Sequence, residues 1–145
     1  MRCLSAFLPL LLCLSCASAR ADALVVVASP RCGIERLTQD DVVNIFLGRY
    51  RRLSSGVTAE PVDQAQDSEI RSRFYRLLVN KSPAEINAYW SRLLFSGKTR
   101  PPQILQSAEE ILDFVTARPG AMAYLPLAQV DSRVRVLYSF DKSLP

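Results

Sequence analysis

The chain has 145 residues, with 18 Lys or Arg, 14 Asp or Glu and no histidine. The lack of histidine excludes Ser-His-Asp and Cys-His catalysis, imidazole proton shuttling and most zinc sites. The length suits one domain, since compact domains cluster near roughly 100–150 residues.

The N-terminal stretch is not part of that domain. Arg2 is followed by the apolar run LSAFLPLLLCLSCA and then by the small residues of Ala17-Ser18-Ala19-Arg20-Ala21, a pattern that predicts a secretory signal peptide over residues 1–21. Cleavage is expected after Ala21, with Ala19 as the alternative, and leaves a domain over residues 22–145. The apolar run is shorter than the about 20 residues of a membrane-spanning helix, and no later stretch qualifies, so a soluble exported product is expected. Cys13 follows the bulky Leu12 and Cys16 follows Leu14-Ser15, which do not make a convincing lipid-attachment box. Arg2 and Arg20 leave with the leader, so the charge falls from +4 to 16 − 14 = +2, and no nucleic-acid partner is implied. Cys3, Cys13 and Cys16 leave too. Cys32 alone remains, without a partner for an intramolecular disulfide.

Leu24 to Ala28 (LVVVA) is a continuous β-branched run that suits a strand buried on both faces of a mostly parallel sheet. Thr38 with Asp41 opens a short helix carrying Val42, Ile45 and Phe46, which stops at Gly48. Residues 49–58 form a basic loop, and Ala59 to Val62 a short strand with Pro61 at its start or on an edge. A helix opening at Ser68 places Ile70, Phe74, Leu77 and Leu78 on one face. Ser82-Pro83-Ala84-Glu85 is a capping box leading a helix with Ile86, Trp90, Leu93 and Leu94 inward, ending at Gly97. Thr99 to Pro102 is a rigid connector, and Ser107-Ala108-Glu109-Glu110 a second capping box before Ile111, Leu112 and Val115. Pro119-Gly120 ends that helix, and Ala121–Leu125 and Val134–Tyr138 are the last strands. The order β, α, β, α, α, α, β, β argues for one α/β unit.

The turn from Gln64 to Glu69 is the leading candidate site. A helix N-terminus presents free N–H groups and a partial positive charge to an oxyanion; Ser68 adds a hydroxyl and Arg71 a guanidinium. Asp67 and Glu69 in the same turn support the competing reading, in which the helix end is satisfied by its own carboxylates. Arg49, Arg51 and Arg52 form a basic cluster whose ordinary reading is a solvated loop. Trp90, with Tyr89 and Phe95, offers a stacking platform or, at its helical spacing, a core position. Cys32 lacks a base and a resolving thiol and reads as a buried thiol. Asp40-Asp41 and Glu109-Glu110 fall in first helical turns, where they favour the dipole rather than acid–base work. No pairing of base and nucleophile points to an enzyme, and no cofactor is expected.

Three segments carry a resemblance. The run LTQDDVVNIFLGRY (37–50) resembles the LT-x-x-x-V-x-x-IF-x-G helix of the phosphate-binding proteins of ABC importers, PVDQAQDSEIRSRF is similar to that family's strand, ligand turn and helix, and RPGAMAYL to its x-PGAIGY segment. The likeness runs from about Leu24 to Tyr138 and implies a single lobe of a periplasmic binding protein type II fold: α/β, with a mixed, mostly parallel sheet flanked by helices. Aligned on Phe74, the family's Arg, Ser, Gly and Thr ligands fall on Gln64, Ser68, Glu69 and Ile70, of which only Ser68 is retained. The expected ligand contacts are therefore Gln64 as a neutral donor, Ser68 as a hydroxyl and Arg71 as the positive group from the next position. The segment AYWSRLLFSGKTRPP resembles the short, single-lobe relatives labelled phosphate-transport substrate-binding proteins. The resemblance implies a periplasmic protein that binds phosphate or a similar oxyanion non-covalently, in transport or sensing, with a membrane transporter or sensor component. Two copies could dimerise to rebuild a cleft. The alternative is a ligand-less periplasmic interaction module contacting a membrane sensor, porin or transporter.

Overall fold

A computed structural model describes residues 22–142; the predicted leader over residues 1–21 lies outside the described residues. Five strands, β1 (Leu24–Ala28), β2 (Glu60–Gln64), β3 (Gln103–Leu105), β4 (Ala121–Pro126) and β5 (Arg135–Ser139), form one sheet in the order β3-β2-β4-β1-β5. Four helices, α1 (Gln39–Phe46), α2 (Glu69–Val79), α3 (Pro83–Phe95) and α4 (Ala108–Ala117), cover its faces, with short 3-10 turns at Pro30–Cys32 and Leu127–Gln129.

The caps stand where side-chain chemistry placed them. Thr38 and Ser82 each accept a hydrogen bond from the backbone N–H three residues on, and the Asp41 and Glu85 carboxylates accept one in turn from the cap residue's N–H. Ser107 also caps α4, but Glu110 accepts from the Gln106 N–H, one residue before the cap, so that box is not reciprocal.

The sheet separates two apolar cores. Leu24, Val26 and Ala28 of β1 face Val42, Phe46, Phe74, Ile86 and Trp90 from α1, α2 and α3. Val25 and Val27 face Ile111, Leu112 and Val115 of α4 on the other side. Cover on both faces explains why β1 is apolar at every position. Strand direction does not follow from that pattern: β1 pairs antiparallel with both β4 and β5, while β2 pairs parallel with β3 and β4. Four strands thus run one way and β1 runs against them.

β2 is an interior strand and Pro61 is its second residue, at the strand's start, where it is tolerated because Glu60 N–H already donates to Gly120 (2.8 Å) while the β3 ladder begins only opposite Val62. Two expectations need correction. The inward stripe of α2 is Arg71, Phe74, Tyr75 and Leu78, with Leu77 45% exposed. In α3, Leu94 points outward, whereas Ile86 and Trp90 are buried. Beyond the connector, β3 itself carries no sequence signal, being three residues of which two are exposed. Among the described residues, no helix is long and apolar enough to cross a membrane.

Candidate functional site

The C-terminal end of β2 brings Asp63 and Gln64 against the first turn of α2. Ser68 is the N-cap: its Oγ accepts from Arg71 N–H (3.3 Å) and donates to Gln64 Oε1 (3.0 Å). Gln64 Nε2 in turn donates to the Tyr124 carbonyl on β4 (2.9 Å). The three residues singled out in the sequence therefore do come together, but Gln64 and Ser68 spend these groups on each other and on the scaffold.

Arg71 points inward rather than along the turn. Its Nε donates to Asp63 Oδ2 at 3.0 Å, in an ion pair whose side chains are 3% and 4% exposed. Its Nη2 donates to Asn87 Oδ1 on α3 (3.0 Å), and the guanidinium carbon lies 5.3 Å from the centroid of the Tyr75 ring. Asp63 is saturated: Oδ2 also accepts from the Tyr75 hydroxyl (3.0 Å), and Oδ1 accepts from Gln64 N–H (2.8 Å) and from the Tyr124 hydroxyl. Four donors, one of them the Arg71 cation, make a buried carboxylate tolerable, because an unpaired one would be strongly penalised. The same saturation leaves Asp63 no free lone pair for taking a proton from a substrate.

Burial, and then the Asp63 charge, push the pKa values of Tyr75 and Tyr124 well above the ordinary phenol value, so both hydroxyls are held as donors. The two rings and Phe74 form an aromatic block, with Phe74 stacked on Tyr124 at 3.7 Å between centroids. Asp63, Tyr75 and Tyr124 went unrecognised in the sequence. The only local hint is an acid placed between Val62 and Gln64 in a strand; its partners lie in other elements.

Two buried side-chain polar atoms have no hydrogen-bond partner among the described residues: Arg71 Nη1 and Trp90 Nε1. Both residues line one pocket of about 270 Å³, together with Asp63, Gln66, Asn87 and Ser91, and Leu94, Pro101, Pro102 and Ile104 complete its apolar wall. The pocket joins the flank of the candidate turn, through Gln66, to the α2–α3 groove. Trp90 is a core residue, as its spacing implied, and Phe95 turns away from it, 95% exposed. Cys32 is buried, bonded through its Sγ to the Ile34 N–H and carbonyl, both at 3.4 Å. Among the described residues no group of acidic, Cys or His side chains is disposed to hold a metal.

Comparison with known proteins shows what this architecture is similar to. No protein-family model and no curated protein matches the sequence. Among solved structures, a putative phosphate ABC transporter substrate-binding protein with bound phosphate from Clostridium perfringens superposes with a TM-score of 0.65 at 18% identity, over 80% of this chain and 44% of its own. An ABC-type phosphate transport receptor from Vibrio cholerae gives 0.64 at 16% identity, over 80% and 45%. PstS from Borrelia burgdorferi gives 0.62 at 18%, over 80% and 46%. The chain spans less than half the length of each of these proteins. At such identities the likeness is one of fold alone: a mixed α/β unit with a mostly parallel sheet and flanking helices, shared with one part of each of these proteins.

Proposed function

We propose that this chain is an exported solute-binding lobe that recognises phosphate or a similar oxyanion without covalent chemistry, in transport or sensing, alongside a membrane transporter or sensor component. The observation that carries this reading is the buried, unpartnered Nη1 of Arg71, whose side chain lines the pocket beside the candidate turn. An unmet buried donor costs about 1–3 kcal/mol, and an oxyanion supplies the missing acceptors. The solved structures of the same fold are phosphate-transport proteins, one of them with phosphate bound, which supports the ligand class.

Calorimetric titration of residues 22–145 with phosphate and sulfate tests the reading. Saturable heat is expected, together with a rise in melting temperature that grows with ligand concentration, as linkage requires. Arg71→Lys keeps a cation beside Asp63 but removes the planar fork, and should abolish the heat. An absence of heat at millimolar levels of either anion overturns the reading. Sedimentation in the same buffers reports whether the anion brings two copies together to enclose it.

A second reading has its own support: Asp63 already neutralises Arg71, so the buried cation is committed to an internal pair. On that reading the chain keeps the lobe as an interaction module for a membrane sensor, porin or transporter. Neither reading requires catalysis, and the solved structures it superposes on are binding proteins rather than enzymes.

A further inference from the structure

A groove lies at the opposite end of β2 from the Gln64–Ser68 turn. It has a volume of about 680 Å³ and is bounded by the start of β2 and β3, the end of α3 and the Gly48–Arg51 loop. That volume falls within the about 300–1,000 Å³ typical of binding pockets. Tyr50, Trp90 and Pro102 furnish ring surface, while Arg51, Lys98 and Arg100 furnish charge, and no Asp or Glu lines the groove.

The three cations are not consumed internally. All three are exposed, and among the described residues none stands in an ion pair. Arg51 Nη2 donates to the Lys98 carbonyl at 2.8 Å, which joins the Arg51 loop to the end of α3 and holds the two walls together. Arg73, Lys81, Arg118 and Arg133 elsewhere on the surface each sit within 4.0 Å of a carboxylate, whereas Arg49, Arg52 and Arg92, exposed outside the groove, stand like its three cations in no ion pair among the described residues. Beside the groove, Leu94 and Phe95 are 56% and 95% exposed at the end of α3. A bare phenylalanine next to a basic groove free of acids is an unmatched surface of apolar and cationic character.

We propose that this groove docks an acidic, apolar-studded segment of a protein partner, with carboxylates meeting Arg51, Lys98 and Arg100 and an apolar side chain covering Leu94 and Phe95. The concave shape and ring-lined floor suit an extended chain better than a flat lipid surface. The inference rests on the interaction-module reading; the groove adjoins the Arg71 pocket, sharing Trp90, Leu94, Pro101 and Pro102 with it, but Arg51, Lys98 and Arg100 line the groove alone.

Trp90 is the sole tryptophan and lines both the groove and the Arg71 pocket, so its fluorescence in phosphate- and sulfate-free buffer reports occupancy of the groove. The probes are a peptide alternating Glu and Leu, its Lys-Leu counterpart, and vesicles with and without anionic phospholipid. The Glu-Leu peptide should shift the emission saturably and the Lys-Leu peptide should not. R51E/K98E/R100E should weaken binding on the order of tenfold or more, as three reversed surface charges warrant. Binding should also fall as salt shortens the screening length from about 10 Å at 0.1 M to about 3 Å at 1 M. Phe95→Ser, at a solvent-exposed position, should weaken the same peptide without altering the circular dichroism. Equal affinity of the triple variant, no response to the acidic peptide, or binding to anionic vesicles alone each overturns the proposal. Phosphate heat measured on the triple variant separates the two functions: loss of peptide binding with phosphate heat intact shows two sites.

Discussion

Asp63 accepts four hydrogen bonds, one of them the Arg71 ion pair, while 3% exposed, so the stability of the α2–β2–β4 junction depends on a single carboxylate. Asp63→Asn keeps the shape but leaves the Arg71 charge uncompensated and turns an N–H₂ group toward donors. Breaking a buried pair in this way should cost about 3–5 kcal/mol in urea unfolding; a loss below about 1 kcal/mol would show that Arg71 does not need its partner. The tyrosines impose a pH limit in the other direction. Their pKa values are raised on folding, by burial first and by Asp63 second, so their contribution is complete below the unfolded phenol value near 10. Above it the unfolded chain loses protons that the folded chain retains, and stability should fall with a slope of up to about 1.4 kcal/mol per pH unit for each tyrosine. Tyr124→Phe should flatten that alkaline slope in denaturation curves taken between about pH 9 and 11, even though the variant is less stable at neutral pH. Gln64, Ser68 and Arg71 were legible as neighbours, because a cap and one helical turn link them. The destination of the Arg71 side chain was not, because sequence spacing says nothing of which strand lies under a helix.

Helix starts were the most legible elements, since Thr38, Ser82 and Ser107 cap by bonds that reach only three residues. The buried stripe of α2 was harder to place. An apolarity rule selects Leu77, yet Tyr75 and Arg71 take the inward positions because Asp63 supplies their polar ends with partners. Gly120 illustrates a glycine whose role is close approach rather than unusual dihedrals. A Cβ there would stand 1.8 Å from the Thr58 carbonyl oxygen, and the Gly120 carbonyl is itself held by Glu60 N–H at 2.8 Å. Neither backbone can yield without loosening the start of β2. Gly120→Ala should therefore destabilise the chain by about 1–3 kcal/mol, as overpacking does; thermal unfolding of the variant checks this, and an unchanged midpoint refutes it. In the sequence, Pro119-Gly120 read as a helix stop and as part of the RPGAMAYL segment, not as a close backbone contact.

At the scale of the whole molecule, two cores on either face of one sheet hold the turn at the C-terminal end of β2 and the basic groove at the other end. The chain spans less than half the length of each solved structure it superposes on. The α/β class, the capped helices and the apolar strand Leu24–Ala28 were determined by the sequence alone, because periodicity, caps and β-branching act between residues a few positions apart. Direction and partnership were decided only in three dimensions. β1 runs against all four other strands although its composition is that of a buried parallel strand, since burial on two faces selects the same residues in either direction. Arg71 is neutralised by Asp63, eight positions earlier, and Asp63 is held by Tyr124, 61 positions later. A side chain's electrostatic partner is set by which elements pack together, and no local pattern in the chain encodes that.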